Sequence, residues 1–495
     1  MHLNRRLLLS VLFLFSSVLT SMAQADNPWY FKVKDSRNGY NLPSKGNFHC
    51  LVIFVEVEND TRRTQDPIWP VGGKPYSFDW IVHPSINEKA PVPEGIRNLS
   101  DYYSDMSFDN FNLTGSIYPS VIKISDKLPS YYAANKAVYD SINARQVRQV
   151  DPAVDFSKCD LYSMDNYFKG KEKKPNNKID FVFLIYRNTE HTKWGITGGG
   201  RWVNVPVRLN GYKTENAFLL GEALKSPYPI TILTHEFSHG FLGGNAYHTM
   251  GGAHSWNLKY GNTVNFGLNN GWGLIGAGDI FKSCNGWDRQ RLGWEKPGQQ
   301  FYDLNAGIVP PDGLIVELRD FVKYGDALKV QLPHIPEDEP QQYIWFENHS
   351  MENYFDQPFP YLEDTICYKP LIEPGIYAFH QTGMDNTSEL KVTYQDFLKP
   401  ISAEGKWDFR FTSDTVRICS AGGAYENILY KWKMNPLSGY DDFVKRFYDV
   451  GTLENSFEGN GRIMANKYPL QTPTHKNNTC FNHSDETQLK TCWTK

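Results

Sequence analysis

Two histidines four residues apart, with a glutamate beside the first, are the clearest chemical signal in this chain. They lie in TILTHEFSHGFLGGNAYH, residues 231–248, as His235, Glu236 and His239. On an α-helix, positions i and i+4 stand one above the other, so both imidazoles can face a single ion. Glu236 falls about 100° round the helix from His235, near enough to touch a water on that ion without ligating it. Zinc lowers the pKa of such a water to about 7, and a neighbouring carboxylate can take its proton and pass it to a leaving amine. This is the metallopeptidase use of the spacing. The competing reading is a surface helix carrying two unrelated histidines and a solvated glutamate.

A third protein ligand must come from beyond this helix. Asn245 stands where the short-spacing arrangement has a histidine, and an amide oxygen is a poor zinc ligand. His248 follows Gly243-Gly244, a turn that could return the chain towards the ion, and is the expected third ligand. His254, Asp279 and Asp288 are the other nearby candidates, with Asp288 the alternative to His248. Each could instead be a surface or packing residue.

The elements around the motif are legible from periodicity. Ile230, Leu233, Phe237 and Phe241 form an apolar stripe at i, i+3, i+7 and i+11, so a helix starting near Ile230 can pack one face on a core. The double glycine stops it. FHCLVIFVEVEN (48–59) reads as a strand, residues 99–107 as a helix, and 111–117 as a strand. KIDFVFLIYRN (178–188) is a nearly unbroken apolar run, as expected of a central strand covered on both faces. A Gly/Asn-rich region (251–279) precedes a helical pattern over 285–294. From residue 298 the pattern changes to short strands at 314–320, 327–333, 342–350 and 375–381.

Length and composition bound the rest. A chain of 495 residues exceeds what one core serves, so at least two domains are expected. Aromatics reach 15%, which suits either a binding surface or core and cross-strand packing; in a β-rich chain packing is the simpler account. The net charge of −4 and the lack of a basic tract argue against a nucleic-acid partner. Arg5-Arg6, the apolar run Leu7 to Leu19 and the small residues before Ala23 and Ala25 read as a signal peptide, cleaved after one of those alanines. That run is too short for a comfortable span of about 20 residues, and no other apolar stretch matches it, so no transmembrane segment is expected in the mature chain. Seven cysteines cannot all pair within one molecule; only Cys480 and Cys492 are close in sequence.

HEFSHGFLGGNAYH (235–248) resembles the zinc motif of the immune inhibitor A-like secreted metallopeptidases, H-E-[FY]-G-H-x-L-G-L-P-D-x-Y-D, matching at His235, Glu236, Phe237, His239 and Tyr247. Further segments are similar in the same order: NLSDYYSDMSFDNFNLTG (98–115), VDFSKCD (154–160) with KIDFVFLIY (178–186), GWDRQRLGW (286–294), YIWFENHS (343–350) and PGIYAFH (374–380). The resemblance covers most of residues 48–381. Departures are Asn245 and His248 in place of two aspartates, Leu242 in place of a glycine, and Ile275 where the family's methionine turn has Met. The family's calcium loop is reduced to Asn176, Asn177 and Asp180.

The resemblance implies an α+β fold: a signal peptide (1–25), a zincin-like catalytic domain (26–297) with an active-site helix on a mixed sheet, and a β-rich C-terminal domain (298–495). It implies a secreted zinc endopeptidase acting on protein or peptide substrates, with His235, His239 and His248 on Zn2+ and Glu236 as general base. Tyr247 or His254 would donate to the developing oxyanion, and Ca2+ is a weaker cofactor expectation. Two other readings stay open: an inactive peptidase-like protein that binds host glycans or glycoproteins through its aromatics, and a zinc hydrolase of non-peptide amides.

Overall fold

The computed structural model describes residues 42–60, 68–152, 154–163, 174–187, 202–203, 207–214, 217–221, 230–242, 273–274, 283–304, 315–333, 342–356, 374–382, 398–400, 409–417, 429–434 and 456–457. The fold is mixed α+β, with several sheets and few helices.

The chain enters the first sheet through β1, Gly46–Val57, whose side chains alternate between two cores. Phe48, Cys50, Val52 and Phe54 join one buried cluster, while Leu51, Ile53, Val55 and Val57 join another. A strand covered on both faces needs this unbroken apolar run. Helix α1, Leu99–Ser107, follows, then β2, Phe111–Ile117, and β3, Ile122–Ile124, both parallel to β1. Asn98 and Asp101 close a reciprocal capping box at the start of α1, and Phe108 ends it in the left-handed region at φ 54°.

Helix α2, Tyr131–Val147, lies over the opposite face of the sheet, contributing Ala134, Val138, Tyr139 and Ile142 to the second cluster. Its alanines and short polar residues give it a weak apolar stripe, and the sequence reading did not single it out. The run 178–188 is two strands, β4 (Lys178–Ile179) and β5 (Val182–Tyr186), separated at Asp180. β5 is parallel to β1 and buried along its length, the expected central strand. β6 (Trp202–Val203), β7 (Val207–Leu209), β8 (Tyr212–Thr214) and β9 (Ala217–Gly221) complete this half. The main order is β2-β1-β5-β9-β6, parallel except for β6, while β4, β8 and β7 form a small separate sheet.

Helix α3, Ile230–Leu242, carries the motif, and α4, Gly286–Leu292, is capped by Asn285 and ends on Gly293 at φ 68°. The second sheet then begins with β10 (Phe301–Leu304). After the short helix α5 (Phe321–Tyr324) come β11 (Ala327–Gln331), β12 (Gln342–His349), β13 (Gly375–Thr382) and β14 (Leu398–Pro400) in sequential order. Three of the four strands expected in this region form. The exception is 314–320: residues 315–319 are irregular, Ile315 is 91% exposed, and only Asp320 bridges to Asn348. Arg319 explains the failure, because its backbone N–H and its guanidinium both bind the Asp326 carboxylate and draw the segment away from a ladder.

The change of pattern near residue 298 falls between α4 and β10. Buried side chains nonetheless run without a break across it: Trp345, Tyr377 and Phe379 belong to the same cluster as Phe48 and Phe237.

Candidate metal centre

Helix α3 is fixed by its apolar face. Leu233, Phe237 and Phe241 are fully buried. Phe237 meets Phe181 at 4.9 Å and Tyr103 at 5.1 Å between ring centroids, and Phe241 meets Phe111 at 4.9 Å and Trp294 at 5.8 Å. These aromatics pack the core, the simpler of the two uses their abundance allowed.

Two further contacts fix the helix. The Leu42 N–H donates to Gly240 O at 2.9 Å, satisfying one of the last-turn carbonyls that a helix leaves without an internal partner. The Leu42 side chain fills the space beside Gly240, where a Cβ would stand only 2.3 Å from Leu42 Cδ1. From helix α1 the Tyr103 hydroxyl lies 2.9 Å from Thr234 O and 3.0 Å from Ser238 Oγ. Burial pushes that hydroxyl well above the usual tyrosine range, so it keeps its proton and donates to the carbonyl, and the Ser238 hydroxyl donates back.

On the other face, ligand atoms of His235, Glu236 and His239 all lie within 4.8 Å of one another. The two imidazole centroids are 5.1 Å apart with planes at 76°, and Glu236 Oε2 is 3.9 Å from His239 Nε2. His239 is 9% exposed, while His235 and Glu236 are half-buried, so solvent reaches the group. The group could hold a metal ion, with the two imidazoles as its candidate nitrogen ligands.

The remaining candidates separate clearly. His248, Tyr247, His254, Asp279 and Asn245 lie outside the described residues. Asp288 is 2% exposed and does not belong to the His235–Glu236–His239 group. Its Oδ2 accepts the Leu274 N–H at 2.7 Å, and burial raises its carboxyl to about 6. Asp288 therefore pins the turn that precedes Ile275, itself outside the described residues.

Of the reduced calcium loop, residues 164–173 lie outside the described residues, and the flanking carboxylates bond to backbone. Asp160 accepts the N–H groups of Asn176 and Asn177, and Asp180 Oδ2 accepts those of Leu161 and Tyr162. Among the buried side-chain atoms of the described residues here, Asp180 Oδ1 and Asn176 Oδ1 have no hydrogen-bond partner. Burial holds the Asp180 carboxyl up at about 8.

A second histidine–carboxylate cluster was not expected. His349, at the end of β12, lies 3.0 Å from Asp356 Oδ2 through Nδ1 and 3.3 Å from Glu347 Oε2 through Nε2. All three side chains are fully buried, and Glu347 Oε1 also accepts the Gly286 N–H at 2.6 Å, where α4 begins. The ring loses solvation, but the two carboxylates outweigh this and raise His349 to about 9. The Glu-Asn-His-Ser run in the sequence named two of its members, but nothing there indicated Asp356.

Cys50, Cys159 and Cys284 are buried and free, and the other four cysteines, Cys480 and Cys492 among them, lie outside the described residues. Among the described residues no helix is long and apolar enough to cross a membrane. No protein-family model matches the chain, and no curated protein matches it.

Proposed function

We propose that the chain is an exported zinc endopeptidase of the immune inhibitor A-like kind, with a zincin-like catalytic unit followed by a β-rich unit that positions substrate or buttresses the first. The observation that supports it is the convergence of His235, Glu236 and His239 on one solvent-reached point, on a helix whose opposite face is fixed in the core. His235 and His239 would hold the ion, with His248 as third ligand. A bound zinc ion supplies a water of lowered pKa and polarises the substrate carbonyl. Glu236, beside His239, accepts a proton from the attacking water and returns it to the leaving nitrogen. Tyr247 or His254 donates to the oxyanion as it forms. Residues 1–25 would direct export, and the substrate is a protein or peptide.

The test is casein hydrolysis by the purified mature chain. Glu236→Ala should fold, keep its zinc and lose activity by about 10²–10⁴-fold. His235→Ala and His239→Ala should lose the metal, and full zinc retention in His248→Ala would rule out that ligand. A folded, zinc-loaded chain that cleaves neither casein nor gelatin overturns the peptidase reading. Cleavage of small amides alone would then favour the amide hydrolase, and glycoprotein affinity surviving Glu236→Ala the binding protein.

A further inference from the structure

We propose that Tyr103 is a positioning residue for the metal pair: its one hydroxyl sets the rotation of the two helical turns that carry His235 and His239. This rests on the metal reading of that pair and extends it to a residue that does not touch the ion.

The geometry is specific to those turns. Tyr103 Oη reaches Thr234 O and Ser238 Oγ, and these two residues immediately precede His235 and His239. Thr234 and Ser238 are themselves i and i+4, so they lie one above the other on the face next to the histidines. The backbone ladder couples the two turns to each other, and a single fixed oxygen joined to both holds that stretch of helix at one rotation about its axis. Tyr103, Thr234 and Ser238 are 0%, 4% and 0% exposed, so water does not compete for these bonds.

The oxygen is itself held. The Tyr103 ring packs against Phe237, Phe241 and Phe111 at 5.1, 5.7 and 5.8 Å. Its helix is locked at one end by the Asn98–Asp101 capping box. At the other end the Met106 carbonyl accepts from Arg289 Nε at 2.9 Å. Core packing alone would be served by phenylalanine. The hydroxyl matters because Ser238 stands where the related motif has glycine, giving this chain a side-chain oxygen for Tyr103 to engage.

The experiment measures zinc affinity of the full chain by chelator competition, together with the visible absorption of the cobalt-substituted protein. Tyr103→Phe keeps the ring and should weaken zinc binding about tenfold or more, in the range of outer-shell partners of zinc ligands, with an altered cobalt spectrum. Ser238→Ala should show a smaller loss in the same direction, and the double variant should be no weaker than Tyr103→Phe. Val138→Ala, in the core beyond the sheet's other face, controls for lost stability. It should lower the unfolding temperature without moving zinc affinity. Wild-type affinity and spectrum in Tyr103→Phe, or an equal affinity loss in Val138→Ala, overturns the inference. If the wild-type chain takes up no zinc, the metal reading itself has failed and this inference falls with it.

Discussion

The cluster on α3 and the cluster at the end of β12 use the same side-chain types to opposite ends. At His349 each ring nitrogen points at its own carboxylate, and all three groups are sealed from water. At His235, Glu236 and His239 the ligand atoms lie within 4.8 Å of one another in a group that is only partly buried. A histidine flanked on both sides by carboxylates gains a proton and becomes part of the core, whereas the two histidines on α3 are, on the reading proposed above, left for a metal ion. Proximity of histidine and carboxylate therefore does not identify a site; what separates the two clusters is that one is closed to water and the other is not.

The largest expected effect tests the closed cluster. His349→Ala leaves Glu347 and Asp356 buried without their shared cation, a change that costs about 3–5 kcal/mol, and Asp356 Oδ1 already lacks a partner. Urea unfolding at neutral pH should show that loss, whereas metal-free His239→Ala should unfold close to the metal-free wild type. The pH dependence sharpens the contrast. Folding raises His349 to about 9, so its stabilisation is complete below the unfolded value near 6.5 and is lost as pH rises through 9. Asp180 is a carboxyl raised to about 8, so its contribution also falls with rising pH, but between about 4 and 8. The loss of stability between pH 8 and 9.5 should thus vanish in His349→Gln and persist in Asp180→Asn. A wild-type profile flat across that interval would show that the closed cluster carries no extra proton.

An intermediate effect is expected where the open cluster meets the N-terminal segment. A methyl group at Gly240 would collide with Leu42, and overpacking of this kind costs about 1–3 kcal/mol. Gly240→Ala should lower the unfolding temperature and weaken zinc binding, because Gly240 follows His239 directly. Leu42→Ala in the same chain should restore part of both by making room. If Gly240→Ala alone is neutral in both measurements, Leu42 does not brace the metal helix. Removing Leu42 to Ser44 should destabilise the fold, since Ser44 and Leu42 are bonded into the core at Leu292, Trp294 and Gly240.

The motif helix α3, the flanking helix 99–107 and the strand 111–117 were legible in the sequence because each is a short local run of residues, clearest in the 3.6-residue stripe of α3. Helix α2 was not, because the exposed Tyr132 and Val147 and the partly buried Ala133 and Ala137 put apolar residues off the stripe of Tyr131, Ala134, Val138, Tyr139 and Ile142 that docks it on the sheet. The site was legible only as far as local spacing reaches. His235 and His239 are four residues apart, but Tyr103 meets Ser238 across 135 positions and Leu42 meets Gly240 across still more. Only the assembled fold brings those residues together. The expected strand at 314–320 failed for the same kind of reason, since Arg319 prefers Asp326, a partner its alternation does not reveal.

The smallest effect belongs to Asp288, and it bears hardest on the comparison. Its chemistry alone suits a zinc ligand, and it lies on the helix after the motif. It belongs with the closed groups, since Oδ2 accepts the Leu274 N–H and the side chain is buried. Asp288→Asn keeps an oxygen able to accept from Leu274 and removes a buried negative charge. Stability at neutral pH should therefore move by less than about 1 kcal/mol, because the hydrogen bond is retained. Zinc bound per chain should not change at all. Loss of the metal in a folded Asp288→Asn chain would make Asp288 the third ligand. It would also show that a carboxylate already bonded to backbone can turn towards the ion, and the division into open and closed clusters would then fail at the residue where it is most sharply drawn.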